Sequence, residues 1–210
     1  MSRLQFLIFN LTAFSFLTPL ILGQASTQAQ DHYFTRTGHV HVEAYSTMMD
    51  VSADNYQVAA SFNKDDGELE FTCLIKSFIF DLGLADRVIN DERINVVAKP
   101  KVHYKGKVDN LGEIDFSSPG EYVIYVSGIL YIWDMERVTG ARGTLIVNKD
   151  GTIRASAKFK MTIEEESMNM VNELMKEHLP SAISVDANKL GISRDVYIES
   201  KMTMKPITKS

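Results

Sequence analysis

The chain has 210 residues, a formal net charge of -5, and 45% apolar against 23% charged residues. Those proportions describe an ordinary globular protein, and a mildly acidic balance gives no footing for nucleic-acid binding. A single cysteine, Cys73, excludes an intrachain disulfide framework and a paired-cysteine zinc knuckle.

The N-terminus carries a targeting pattern. Met1-Ser2-Arg3 is a short basic start, and Leu4 to Leu22 is an apolar run broken by Asn10 and Pro19. Small residues follow at Ala25 and Ala29, with Gly23 and Thr27 two positions before them. This predicts a secretory signal peptide over residues 1–29, cleaved after one of the two alanines, and an exported mature domain over 30–210. An uncleaved anchor is the weaker reading, because the run is borderline in length for a membrane span.

In the mature part, Asp31 to Gly38 reads as a polar leading segment. His39 to Ala44 alternates, with Val40, Val42 and Ala44 on one face and His39 and His41 on the other. Tyr56–Phe62 and Glu68–Ile75 are strand candidates joined by Asn63-Lys64-Asp65-Asp66-Gly67, a hairpin signal. Phe71, Cys73 and Ile75 share a face. Asp81 to Asn90 is compatible with a helix or a structured loop. Val96 to Lys107 returns to a strand pattern, with Pro100 confining its first half to an edge or a strand start.

Glu121 to Trp133 is the longest apolar, β-branched and aromatic stretch and predicts a long central strand, bent at Gly128. Both of its faces are apolar, which implies protein on both sides or an apolar ligand on one. Asp134 to Gly140 reads as a polar connection, and Gly140-Ala141-Arg142-Gly143 as a turn. Thr144–Val147 and Thr152–Ile163 flank a second hairpin, Asn148-Lys149-Asp150-Gly151. Ile153, Ala155, Ala157, Phe159 and Met161 alternate with Arg154, Ser156, Lys158 and Lys160, so that strand has one wet and one dry side.

Met168, Val171, Leu174, Met175 and His178 recur at helical spacing after an acidic start and before Pro180. The helix is expected to pack on the sheet, with a lid over an opening as the alternative. Val196, Ile198 and Ser200 mark a final strand. About eight strands, two hairpins and little helix imply an all-β antiparallel sandwich or closed barrel. Eight closed strands leave room for one apolar ligand.

Chemistry-bearing motifs are sparse. The chain has no GxSxG, HExxH or Walker loop. Adjacent acids such as Asp65-Asp66 and Glu164 to Glu166 sit where solvated turns and helix caps put them. His39 and His41 lack an evident carboxylate or third histidine to complete a metal site. An enzyme is therefore the weaker class, requiring His39, His41 and His103 to converge.

Four stretches carry a family resemblance: Gly67-Glu68-Leu69-Glu70-Phe71 running to Ser77-Phe78-Ile79-Phe80; Val102 to Lys107; Gly120 to Ile132; and Ala157-Lys158-Phe159. Together, over about residues 55–207, the chain resembles the YceI-like family, in particular divergent members of bacterial cell envelopes. The family turn after its long strand is replaced here by Trp133 to Thr139, its histidine-containing loop by Asp86 to Val97, and the helix over 165–179 looks like an insertion.

The resemblance implies an eight-stranded, antiparallel, lipocalin-like barrel that holds a polyisoprenoid chain in the periplasm. It implies no catalytic residues, no metal and no cofactor beyond a bound lipid such as an isoprenoid quinone. The expected cavity wall is Phe71, Ile75, Phe78, Phe80, Tyr122, Ile124, Val126, Leu130, Ile132 and Phe159. The expected partner is an apolar lipid, with peripheral membrane contact and a homodimer as further expectations. The competing reading is a structural or interaction module whose core is filled.

Overall fold

The computed structural model describes residues 32–46, 50–94, 99–133, 135–179 and 191–207. The predicted signal peptide with its cleavage points, and Pro180, lie outside them. In chain order the elements are β1 (His32–Ser46), β2 (Val51–Asn63), β3 (Glu68–Leu74), β4 (Ile79–Phe80), α1 (Gly83–Ile89), β5 (Lys101–Val108), β6 (Gly120–Ile132), β7 (Met135–Val147), β8 (Ile153–Thr162), α2 (Glu165–Glu177) and β9 (Ile192–Pro206). All strand pairings are antiparallel. The order β1-β9-β8-β7-β6-β5-β3-β2 returns to β1, closing an eight-stranded barrel, and β4 is a short addition to β2 through Ala53 and Asp54.

Closure explains the alternation. Each strand turns one residue set inward and the next outward. In β6, Ile124, Val126 and Leu130 are buried while Val123 and Tyr125 are about half exposed. The two apolar faces of this strand are therefore unequal, and only the inner one is core. Both predicted hairpins form, with Gly67 and Gly151 at positive φ, where a Cβ would be strained.

The structure corrects three boundaries. The predicted leading segment belongs to β1 as far as His32, because Tyr33 and Thr35 are buried against the barrel interior. The predicted polar connection after Trp133 is instead the first half of β7, which pairs with β6 from Met135 to Val147. The predicted turn Gly140–Gly143 lies mid-strand. A Cβ on Gly143 would sit 2.4 Å from the Ser156 carbonyl oxygen, so a small residue is what lets β8 approach. Hydropathy missed this strand because its inner face reads Arg137, Thr139, Ala141 and Gly143 rather than Val or Ile.

Connectivity places unlike things at the two ends of the barrel. The β1–β2 and β6–β7 turns, the β3–β5 connection with β4 and α1, and α2 between β8 and β9 all lie at one end. The hairpins 63–68 and 147–153 and the 108–120 connection lie at the other. That second end is filled: the Tyr33, Phe62 and Phe116 rings stand 5.9–6.5 Å apart, beside fully buried Ile153 and Met204.

Candidate functional site: an apolar cavity under the helical cap

The barrel interior holds two apolar compartments. One, of about 160 Å³, lies at the helical end among Val40, Val42, Cys73, Ile75, Phe78, Phe80, Ile89, Val102, Leu130, Ile132, Trp133, Met135, Met161, Ile163, Val196 and Ile198. The other, of about 50 Å³, lies mid-barrel among Ala60, Leu69, Tyr104, Ile124, Val126, Thr139, Ala141, Ala155, Ala157 and Met202. Phe71 and Phe159 line both and form the partition between them.

Side-chain size accounts for this geometry. Mid-barrel, Gly106 faces Gly128 across β5 and β6. A Cβ on Gly128 would meet Gly106 Cα at 2.5 Å and the Tyr104 hydroxyl at 2.7 Å. Tyr104 thus lies over the glycine pair, and its ring stacks on Phe71 with centroids 5.1 Å apart. Large aromatics fill most of the room that the small residues release, leaving the narrow compartment. Toward the cap the barrel strands contribute Val, Ile, Leu and Met, joined by Phe78, Phe80 and Trp133, around a wider compartment.

Of the predicted wall, Ile75, Phe78, Phe80, Leu130 and Ile132 line the larger compartment, Ile124 and Val126 the smaller, and Phe71 and Phe159 both. Tyr122 lines neither. It stands at the filled end, where its hydroxyl donates to the Asp115 carbonyl at 3.1 Å. Inward register alone does not specify depth along the barrel. The sequence marks dry faces on β1, β8 and β9, but of their residues the predicted wall includes only Phe159. Trp133 was missed because it occupies a turn.

The cavity wall carries almost no polar chemistry. The Cys73 thiol is 4% exposed, and burial pushes its pKa up to about 12, so it stays a neutral thiol. The Trp133 Nε1–H is buried and has no hydrogen-bond partner among the described residues. Among the described residues, no Lys, Arg, His, Asp or Glu lines the larger compartment.

Two structures bound this end. Helix α1 sends Ile89 to the cavity, and α2 packs behind it and against β9, burying Leu174 and Met175. Helix α2 therefore covers the helical connection as well as the sheet. A polar clamp joins the layers: Arg93 donates to Asp91 at 2.9 Å and to Glu177 at 2.7 Å, and His178 Nε2 meets Asp91 at 2.9 Å. Hydrogen bonds from Arg93 hold the carboxyls of Asp91 and Glu177 below their usual range, and His178 adds to this at Asp91.

The second structure is a seam. β8 pairs with β7 only over Arg142–Val147, so Met135–Ala141 have no ladder partner on that side among the described residues. An Arg137–Glu164 ion pair spans the gap.

The histidines do not converge. His39 and His41 lie on the outer face of β1, while His103 lies on β5, with β2 and β3 between them, about 14 Å away by strand spacing. The absence of a carboxylate partner, expected from sequence, is corrected. Asp54 on β2 accepts from His39 at 2.6 Å and His41 at 2.9 Å, and Glu43 lies 3.0 Å from His41. Glu43 and Asp54 hold His41 above its usual value. Among the described residues no group of three or more His, Cys, Asp or Glu side chains is placed to hold a metal ion. No described helix is long and apolar enough to cross a membrane.

No family model and no curated protein matches the chain. Solved structures do. A polyisoprenoid-binding domain from Saccharophagus degradans superposes with a TM-score of 0.67 at 10% identity, over 84% of this chain and 99% of that one. A YCEI protein from Campylobacter jejuni aligns with a TM-score of 0.41 at 14% identity, over 80% and 85% of the two chains. The first of these establishes a shared fold.

Proposed function

We propose that this protein binds an apolar isoprenoid or similar lipid chain inside its barrel, outside the cytoplasm. The observation that carries the reading is the larger compartment, about 160 Å³ with an aliphatic and aromatic wall. A void of about 150 Å³ lined by such residues is known to stay dry and take up benzene. Each methylene moved there from water contributes about 0.8 kcal/mol. Binding of this kind needs depth and apolar walls rather than a catalytic constellation.

The fold shared with a polyisoprenoid-binding domain supports the ligand class, and the N-terminal pattern of residues 1–29 supports export to the periplasm. A chain longer than one ring or one isoprene unit needs both compartments. Rotation of Phe71 and Phe159 joins them. Ile79 and Val138, 66% and 88% exposed at the capped end, are the apolar side chains that would meet a bilayer during exchange.

Native mass spectrometry and lipid extraction of the secreted protein test the proposal. A retained or acquired isoprenoid lipid is the expected result. Protein that never carries or takes up such a lipid would overturn it. The second reading, a filled structural module, draws on the mid-barrel compartment of only about 50 Å³, and that negative result would favour it.

A further inference from the structure

Along most of the barrel, neighbouring strands are held together by backbone hydrogen bonds, and a hydrocarbon chain cannot pass between two strands without breaking them. The ladder has longer interruptions between three pairs of strands. The β1–β9 pairing skips Thr35–Gly38 and resumes on both sides. The β2–β3 ladder spans only Ala59–Phe62, but the edge beyond it is covered: β4 pairs with Ala53 and Asp54, and the Asn55 side-chain amide donates to the Leu74 carbonyl at 3.1 Å. The β7–β8 ladder stops at Arg142 and Lys158. Beyond that point Met135–Ala141 of β7 and Phe159–Thr162 of β8 are unpaired with each other.

Both hollow compartments reach this seam. Met135 on one edge and Phe159 and Met161 on the other line the larger compartment. Thr139 and Ala141 on one edge and Ala157 and Phe159 on the other line the smaller. Phe159, which separates the two, thus stands where the pairing ends. The Arg137–Glu164 ion pair crosses the seam with side chains 26% and 59% exposed, so solvent weakens it. A charged side chain on an unpaired edge also discourages a foreign strand from adding there. The capped end is held differently, by the Arg93, Asp91, Glu177 and His178 clamp and by the burial of Leu174 and Met175. Parting the seam costs one exposed ion pair, whereas lifting the cap breaks the clamp and bares packed apolar surface.

We propose that the hydrocarbon guest enters and leaves sideways, through the seam between β7 and β8, while the helical cap stays in place. This rests on the lipid-binding reading and gives its ligand a route. Parting the edges beside Phe159 opens both compartments at once, so a chain is laid in lengthwise and is not threaded past the Phe71–Phe159 partition.

Position 140 has room for a side chain, since a Cβ there meets the Val126 carbonyl oxygen at 3.7 Å, and continuing the β7–β8 register sets it across from Lys160. Gly140→Cys with Lys160→Cys, joined by a short bis-maleimide, ties the seam. Arg93→Cys with Glu177→Cys, joined by the same reagent, ties the cap. Cys73 is 4% exposed and its thiol stays neutral, so it is spared. Each protein is loaded with geranylgeraniol and mixed with an excess of the deuterated form, and exchange is followed by native mass spectrometry before and after linking. Tying the seam is expected to slow exchange at least about tenfold, and tying the cap to change it less than about twofold. The reverse pattern, equal slowing by both links, or no slowing by either overturns the inference and leaves the lipid-binding reading standing. If no variant and no wild-type protein takes up geranylgeraniol, that reading falls and takes the inference with it. Should the linked pairs not form, Arg137→Ala and Arg93→Ala decide: faster exchange in the first alone is expected, and any other pattern overturns the inference.

Discussion

The two ends of this barrel are built from the same strands and the same alternation, yet one is solid and the other hollow. At the hairpin end, Tyr33, Phe62 and Phe116 meet in the middle with centroids no more than 6.5 Å apart. At the helical end the inward positions are Val40, Val42, Val102, Ile132 and Val196, which do not reach across, and a helical cap covers what they leave. Closing eight strands sets the diameter of the tube. The length of the inward side chains then decides, level by level, whether it is core or cavity.

The largest expected effect comes from emptying the solid end. Phe62→Ala, at a side chain 2% exposed, should lower stability by about 3–5 kcal/mol, read from the urea midpoint, with lipid uptake by the folded fraction unchanged. A loss of under about 1 kcal/mol would mean that this end is not the packed one.

Adding volume should separate the ends more sharply. Val147→Phe, at a position 4% exposed in the solid end, should cost about 1–3 kcal/mol by overpacking. Val40→Phe, on the wall of the larger compartment, should be tolerated within about 1.5 kcal/mol while abolishing lipid retention in native mass spectrometry. Equal costs for the two would erase the distinction.

Two gentler changes act on the cover of the hollow end. Arg137→Ala removes the ion pair across the β7–β8 seam; ligand exchange should speed up while the unfolding midpoint moves by less than about 1 kcal/mol. Acid should loosen the clamp. Asp91 and Glu177 have folded pKa values held below the usual 3.8 and 4.5, so their contribution is present above those values and is lost as pH falls through the lowered ones. Amide hydrogen exchange in α1 and α2 should therefore accelerate below about pH 4 before that of β6 does, and Arg93→Ala should bring the same acceleration to neutral pH.

Much of the wall was legible because inward register is a local property. In β8, Ile153, Ala155, Ala157, Phe159 and Met161 announce a dry face, and in β6, Ile124 and Leu130 do the same. Tyr122 shares that register and yet stands outside both compartments, since nothing local records how far along the tube a residue lies. The first half of β7 was illegible for a different reason. Its inward residues are small or polar, Thr139 and Ala141 beside the Tyr104 ring and Arg137 bridging a seam, and those demands come from other strands. Trp133 gave a misleading cue, as the apparent end of a strand, because its left-handed backbone is imposed by a two-strand turn.

From the sequence alone followed an antiparallel, strand-rich chain with two Asp-Gly hairpins, an amphipathic helix late in the chain and the dry faces of β3, β8, β9 and the second half of β1. Each of those rests on a repeat of two or 3.6 residues that neighbours along the chain display. Only the tertiary structure decided that β1 closes on both β2 and β9, and that the aromatics converge at one end and leave the other hollow. These depend on distances between residues far apart in the chain, which the period of the pattern does not encode.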